Sequence, residues 1–318
     1  FAWMSKVPYA FVGTAKSEYY LKDENGPIPR QRWLDHLENW SGSVYLPIDR
    51  WFMQRPNCKA VIPRDTITTT ILKQWDIPAY DLGNPMMDSL DPTGKLTLPP
   101  EATTGDVESR HSPLKVLLLP GSRAPENHRN WTLILQAVKS VQAAFENHTL
   151  VFLAAIAPSL DLTPFVEALG DAWIPTEKKA AAKKSIGTKD PLDFRSSTQP
   201  TSFLTMGQRI FNDSLHEADV AIALAGTATE QFVGLGKPAI TLPGDGPQFT
   251  PAFAEAQTRL LGPSIIPVQS ADEVGEAIAK TLANEKQLDL IRRNGHHRMG
   301  QPGAAARIAD CLMTVFNA

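Results

Sequence analysis

Short apolar runs alternate with segments of helical period along nearly the whole chain. Buried strands joined by crossover helices produce that pattern, which predicts a doubly wound α/β fold on parallel sheets. Tyr9 to Val12 reads as a strand entering a loop of small residues, Gly13-Thr14-Ala15-Lys16-Ser17. Lys59 to Ile62 reads as a second strand, stopped by Pro63, with a helix over Asp65–Trp75. Pro78 to Leu82 reads as a third, closed by Gly83-Asn84-Pro85. From Asp88 to Pro113 the chain is rich in Pro, Thr, Gly and Asp and keeps no period. An interdomain linker belongs in such a stretch and is placed at 101–113. The expected division is therefore 1–100, then 114–299, then a closing segment at 300–318.

After the linker, Lys115 to Leu119 reads as a buried strand ending in Pro120-Gly121-Ser122-Arg123. Trp131, Ile134, Leu135, Val138 and Val141 then share one helical face. Leu150 to Ile156 is a strand. Thr176 to Ser202 is polar, carries Lys178, Lys179, Lys183 and Lys184, and reads as an insertion or flap. Alternation resumes with strands at Asp219–Leu224, Pro238–Leu242 and Ile265–Val268, helices at Thr227–Leu235 and Pro251–Leu261, and two closing helices. In the last, Ile308, Leu312 and Val315 recur at helical spacing after Gly300-Gln301-Pro302-Gly303, which predicts a helix that crosses back onto the first domain.

Bulk properties exclude some classes. The 318 residues suffice for two cores, and a net charge of -3 provides no general attraction to nucleic acid. Cys58 and Cys311 are the only cysteines, too few for a disulfide framework or a thiolate metal site, which favours a reducing compartment. No run reaches the roughly 20 apolar residues of a membrane span, and no signal peptide opens the chain. The sequence starts at Phe1 inside an apolar stretch, so an incomplete first domain is expected. Two basic clusters leave alternatives open. Trp33, Trp40, Trp51 and Phe52 stand among Arg30, Arg32, Arg50 and Arg55, which suits either a bilayer interface or burial in a core. His296-His297 beside Arg292, Arg293 and Arg298 reads as a solvated basic helix end, with a metal site as the alternative.

The candidate chemistry lies in Ala225-Gly226-Thr227-Ala228-Thr229-Glu230-Gln231, at the carboxyl end of the Asp219–Leu224 strand. Doubly wound sheets bind ligands at that edge. Gly226 permits close backbone approach, and the amides opening the next helix suit a diphosphate. Glu230 can accept hydrogen bonds from ribose hydroxyls; equally, Thr227-x-x-Glu230 can be a capping box. Gly121-Ser122-Arg123 offers a turn, a hydroxyl and a fixed cation to a diphosphate, or is simply a turn leading a helix. Gly244 to Thr250 leaves a third strand at the same edge, where Gln248 can bond sugar hydroxyls or lie in a surface turn.

Leu-Leu-Pro-Gly-Ser-Arg at 118–123, the 225–231 block and Gly-x-Pro-x-x-x-Leu-Pro at 236–243 resemble lipid-A-disaccharide synthase. Phe11-Val-Gly-Thr-Ala-Lys-Ser-Glu-Tyr-Tyr20 and Gly83-Asn-Pro-Met-Met-Asp88 are similar to the lipid-A-disaccharide-synthase-related proteins of cyanobacteria and plastids. The resemblance covers nearly the whole chain outside Thr176–Ser202. It implies a GT-B fold of two Rossmann-like domains, a UDP-sugar (nucleotide-sugar) donor bound by the second, and inverting hexosyl transfer to a lipid-like acceptor. Glu230 would hold the donor ribose, the Thr227–Thr229 amides the diphosphate, with Gly121, Ser122, Arg123, Gly226, Gln231 and Gln248 around them. Gly83-Asn84-Pro85 departs from the synthase's Gly-His-Pro motif, on the acceptor side. No Asp-x-Asp pair occupies a suitable loop, so no metal or other cofactor is expected. The family's general base would lie upstream of Phe1. Among the polar residues near the Gly13–Ser17 loop, Lys16, Glu18 and Asp23, only Glu18 is a substitute, so this chain is expected to bind donor without transferring it. A cytoplasmic or stromal protein, peripheral at a membrane, fits that picture. An epimerase of the same fold and a non-catalytic nucleotide-sugar-binding protein are the alternatives.

Overall fold

The computed structural model describes residues 4, 6–28, 40–103, 112–176, 191–244 and 250–317. They form two compact units: residues 1–89, 259–262 and 294–318 in unit 1, and residues 90–258 and 263–293 in unit 2. The stretch 101–113 falls largely outside the described residues.

Unit 1 contains β1 (Tyr9–Val12), the short hairpin β2 (Lys22–Asp23) and β3 (Gly26–Pro27), and β4 (Cys58–Ile62). β1 and β4 pair in parallel. Among the described residues, helices α1 (Pro47–Met53) and α2 (Thr66–Lys73) lie around them. Asp65 caps α2, its Oδ1 accepting from the Thr68 N–H at 2.9 Å. The strand expected at Pro78–Leu82 is reduced to one bridge between Val61 and Ala79. The Val61 N–H donates to Pro78 O and the Tyr80 N–H to Val61 O there, at 2.8 and 2.9 Å.

The closing helix α9 (Ala304–Asn317) belongs to unit 1 as the apolar spacing predicts, with Ile308, Leu312 and Val315 against Ala60 and Ile62 of β4. Asp88 accepts from its first turn, Oδ1 from Ala304 N–H (3.1 Å) and Oδ2 from Ala305 N–H (2.7 Å). Gly83 (φ 84°) packs so closely here that a Cβ would come 2.9 Å from Arg307 Nη2. The Gly83-Asn84-Pro85 motif therefore serves this joint, and Asn84 is fully buried, accepting from the Met86 N–H.

Unit 2 is built on an eight-stranded sheet: β5 (Leu114–Leu119), β6 (Leu150–Ala155), β7 (Trp173–Pro175), β8 (Leu192–Ser196), β9 (Ser202–Gly207), β10 (Val220–Ala223), β11 (Ala239–Thr241) and β12 (Ile265–Pro267). Their order is β12-β11-β10-β5-β6-β9-β8-β7, parallel from β12 to β9 and antiparallel beyond. The parallel strands are nearly continuous apolar runs because both their faces are covered. Helix α3 (Glu126–Ala144) buries Trp131, Ile134, Val138 and Val141 against them.

The flap expected over Thr176–Ser202 is corrected at its carboxyl end. Residues 192–196 form β8, whose alternation places Phe194 and Ser196 inside; the four lysines lie outside the described residues. Between β9 and β10 comes α4 (Phe211–Glu217), which the apolar pattern did not reveal; α5 (Thr227–Gly234) follows β10, and α6 (Pro251–Leu261) follows β11. Three helices, not two, close the chain: α7 (Val274–Leu282), α8 (Glu285–Met299) and α9.

The basic end of α8 is not uniformly solvated. Arg298 is 4 % exposed, stacks 4.0 Å above the Tyr19 ring, and donates to Arg259 O (2.7 Å), Leu260 O (3.0 Å) and Glu24 Oε2 (3.1 Å). In the aromatic–cation stretch, Arg50 is buried and stacks over Trp75 at 4.0 Å, Arg55 stacks over Trp51 at 4.2 Å, and Trp40 is 82 % exposed. Arg30, Arg32 and Trp33 lie outside the described residues. Among the described residues no helix is long and apolar enough to cross a membrane.

Candidate functional site

At the carboxyl edge of the unit 2 sheet, where β5, β6, β9 and β10 end, lies a cavity of about 750 Å³. Its walls include Gly121, Ser122 and Arg123 after β5, and Gly226, Thr227, Ala228 and Glu230 after β10. Two of the three loops picked out in the sequence thus meet in one space because β5 and β10 are neighbours in the sheet. Gln248, in the third loop, lies outside the described residues. Gln231 is not in the wall.

The backbone explains the glycines. Gly121 has φ 91°, and a Cβ there would stand 3.2 Å from Leu224 O across the gap between the two strands. Gly226 is the N-cap of α5 and provides no side-chain cap, so Thr227 is the first helical residue. The capping-box reading of Thr227 and Glu230 therefore fails, since a box needs Thr227 one position earlier. Thr229 turns away from the cavity: its N–H donates to Gly226 O (3.0 Å) and its hydroxyl to Ala225 O (2.6 Å). The amides of Thr227 and Ala228 remain at the positive end of the helix, where an anion is stabilised.

Several wall residues were not foreseen. Glu126, Asn127 and Asn130 line the cavity from the first turns of α3, Ala155 to Pro158 and Gln208 from the far side, and Phe253 from α6. Asn130 ties the two strands together, its Nδ2 donating to Pro120 O at 3.0 Å and to Leu224 O at 3.3 Å. Gln257 Nε2 donates to Ala225 O at 3.0 Å, so α6 holds the peptide that precedes Gly226. The apolar period of α3 does not reveal this polar wall. The available signal was Asn127 and Asn130 at i, i+3 just after the glycine turn, polar residues in a turn that leads straight to the buried Trp131.

Among the described residues the cavity combines backbone amides, the Arg123 guanidinium and the Glu126 and Glu230 carboxylates. Amides and a cation suit a diphosphate, and carboxylates accept from sugar hydroxyls. Among the described residues no group of three His, Cys, Asp or Glu is arranged to hold a metal ion.

Glu18 lies in unit 1 and is fully buried. Its Oε1 accepts from the Ser43 hydroxyl and the Val44 N–H (3.1 Å), with Lys22 Nζ 3.7 Å from Oε2. Burial raises its pKa despite these partners. A carboxylate so enclosed anchors residues 43–44 and is out of reach of a substrate hydroxyl. Lys16 pairs with Asp49 at 2.7 Å, and Asp23 accepts from the Asn25 N–H in the β2–β3 turn.

No protein-family model matches the chain, and no curated protein does. Its architecture does have solved counterparts. The UDP-bound MnaA of S. aureus superposes with a TM-score of 0.53 at 11% identity, over 99% of this chain and 71% of that one. The UDP-GlcNAc 2-epimerase of Neisseria meningitidis, bound to UDP-GlcNAc, gives 0.51 at 14% identity, over 98% and 71%. The fold is of the GT-B type. A Listeria monocytogenes structure assigned as a UDP-N-acetylglucosamine 2-epimerase gives 0.50 at 14% identity over 82% of this chain, which spans 60% of that protein. Identities this low speak for the shared Rossmann-like GT-B architecture alone.

Proposed function

We propose that unit 2 binds a UDP-sugar in this cavity and that the protein is a glycosyltransferase, similar to the lipid-A-disaccharide-synthase-related group, acting on a lipid-like acceptor. The carrying observation is the meeting of the Gly121–Arg123 turn with the Gly226 helix start around one cavity. In this reading the Thr227 and Ala228 amides and Arg123 bind the diphosphate, and Glu230 accepts from the ribose. Loss of the nucleotide diphosphate needs its developing charge stabilised, which helix dipole, amides and guanidinium supply without a metal. Exposed Trp40 and Ile48 in unit 1 suit a peripheral contact with the bilayer that carries such an acceptor.

A second reading, nucleotide-sugar epimerase, is supported by two observations. Three structures similar to this chain with TM-scores of 0.50 to 0.53 are named as such epimerases or carry UDP. A second carboxylate, Glu126, stands in the cavity wall as well as Glu230. Incubation with UDP-N-acetylglucosamine labelled in the sugar separates the readings. Label in an organic-extractable glycolipid supports transfer, and free epimerised sugar with UDP supports epimerisation. Bound but intact donor leaves a binding protein. Absence of nucleotide binding by calorimetry would remove all three.

A further inference from the structure

Asn127 is the second residue of α3 and lines the unit 2 cavity. Its N–H closes the turn onto Arg123 O at 3.0 Å, which places it directly behind the Gly121–Arg123 loop. The residue is 1 % exposed, and among the described residues neither Nδ2 nor Oδ1 has a hydrogen-bond partner. One turn on, Asn130 commits its Nδ2 to two carbonyls, so the surroundings can hold a carboxamide when the fold needs one. A buried amide without partners is costly, and an apolar side chain of similar shape would be cheaper for the fold. Folding therefore gives no reason for this residue.

We propose that Asn127 contacts the ligand: its carboxamide turns into the cavity on binding, Nδ2 donating to a diphosphate oxygen and Oδ1 accepting from a sugar or ribose hydroxyl. No internal hydrogen bond is broken by that rotation, so it costs little. The pairing of one donor with one acceptor selects a ligand that presents an anionic oxygen beside a hydroxyl. A nucleoside diphosphate sugar does so, whereas inorganic pyrophosphate satisfies only half the amide. The inference rests on the nucleotide-sugar reading for the identity of the ligand.

The test compares the wild-type chain with Asn127→Leu and Asn127→Asp, by melting without ligand and by calorimetry with UDP-N-acetylglucosamine and pyrophosphate. Asn127→Leu is expected to melt at the same or a higher temperature and to bind the nucleotide sugar at least tenfold more weakly, with a smaller loss for pyrophosphate. Asn127→Asp keeps the acceptor but sets a negative charge beside the diphosphate, and is expected to lose more affinity for both. A lower melting temperature for Asn127→Leu, with or without weaker binding, assigns the residue to the fold and overturns the inference. So does unchanged affinity. If the wild type binds neither compound, the nucleotide reading fails first and the ligand contact proposed for Asn127 falls with it, while variants that fail beside a binding wild type bear on Asn127 alone.

Discussion

A carboxylate one turn inside a helix can serve the cap or a ligand, and at Glu230 the position of the cap removes the Thr227 capping box. With Gly226 as N-cap, Glu230 has no Thr227 cap to reciprocate. Glu230→Gln is expected to weaken UDP binding by about 1.5–3 kcal/mol, the worth of a charge-assisted hydrogen bond, with little change in melting temperature. Calorimetry paired with a thermal melt checks both halves. Asn130 is the converse case. Asn130→Ala leaves two strand-end carbonyls without their donor, at a cost of about 1–3 kcal/mol in urea unfolding. Glu18 carries a pH signature. Its pKa is raised by burial, so the native state holds the proton to higher pH than the unfolded chain does. Stability should then fall as pH rises from the ordinary glutamate range through the native pKa, because ionisation in the buried site is penalised. Glu18→Gln should flatten that part of the stability–pH curve, and an unflattened curve would assign the titration elsewhere.

Elements were legible where apolar runs were long. β5, β6 and β10 are buried on both faces, and their Leu, Val, Ile and Ala runs leave no other reading. The strand at Pro78–Leu82 was overread, since a β-rich run without a partner along its length makes only a bridge. β8 was underread, because its alternation of Leu192, Phe194 and Ser196 is short and follows a long polar stretch. The cavity loops were found by their glycines, but the α3 wall was not, as polar residues inside a helical pattern count as solvent-facing until burial is known. Packing between elements sets a further expectation. A Cβ on Gly275 of α7 would fall 2.2 Å from Ser140 O of α3, and the Gly275 N–H donates to Ser140 Oγ at 2.9 Å. Gly275→Ala must push the helices apart and is expected to destabilise by about 1–3 kcal/mol or more in denaturant unfolding. Lys237 closes the end of α4 by donating to Leu215 O at 2.8 Å and Ala218 O at 2.6 Å, a joint that the basic residue in Gly-Lys-Pro did not announce.

For the molecule as a whole, the sequence announced two α/β halves and a returning helix; it could not announce how the chain is shared between them. Unit 1 gathers residues 1–89, 259–262 and 294–318, so the path leaves it and returns more than once. The described residues that line the cavity, by contrast, all belong to unit 2. Nucleotide at a hundred times its Kd should therefore add about 2.7 kcal/mol to the stability of the unit that binds it. Hydrogen exchange should slow in peptides covering 119–130 and 224–230. The place of α9 also bears on synthesis. A ribosome delivers residues 90–293 before Ile308, Leu312 and Val315 exist, so unit 2 can complete its sheet while β4 still lacks the helix that covers Ala60 and Ile62. A chain truncated after residue 293 should already resist protease over unit 2 and remain cleavable over residues 1–89, with protection of the latter arriving only when α9 is present.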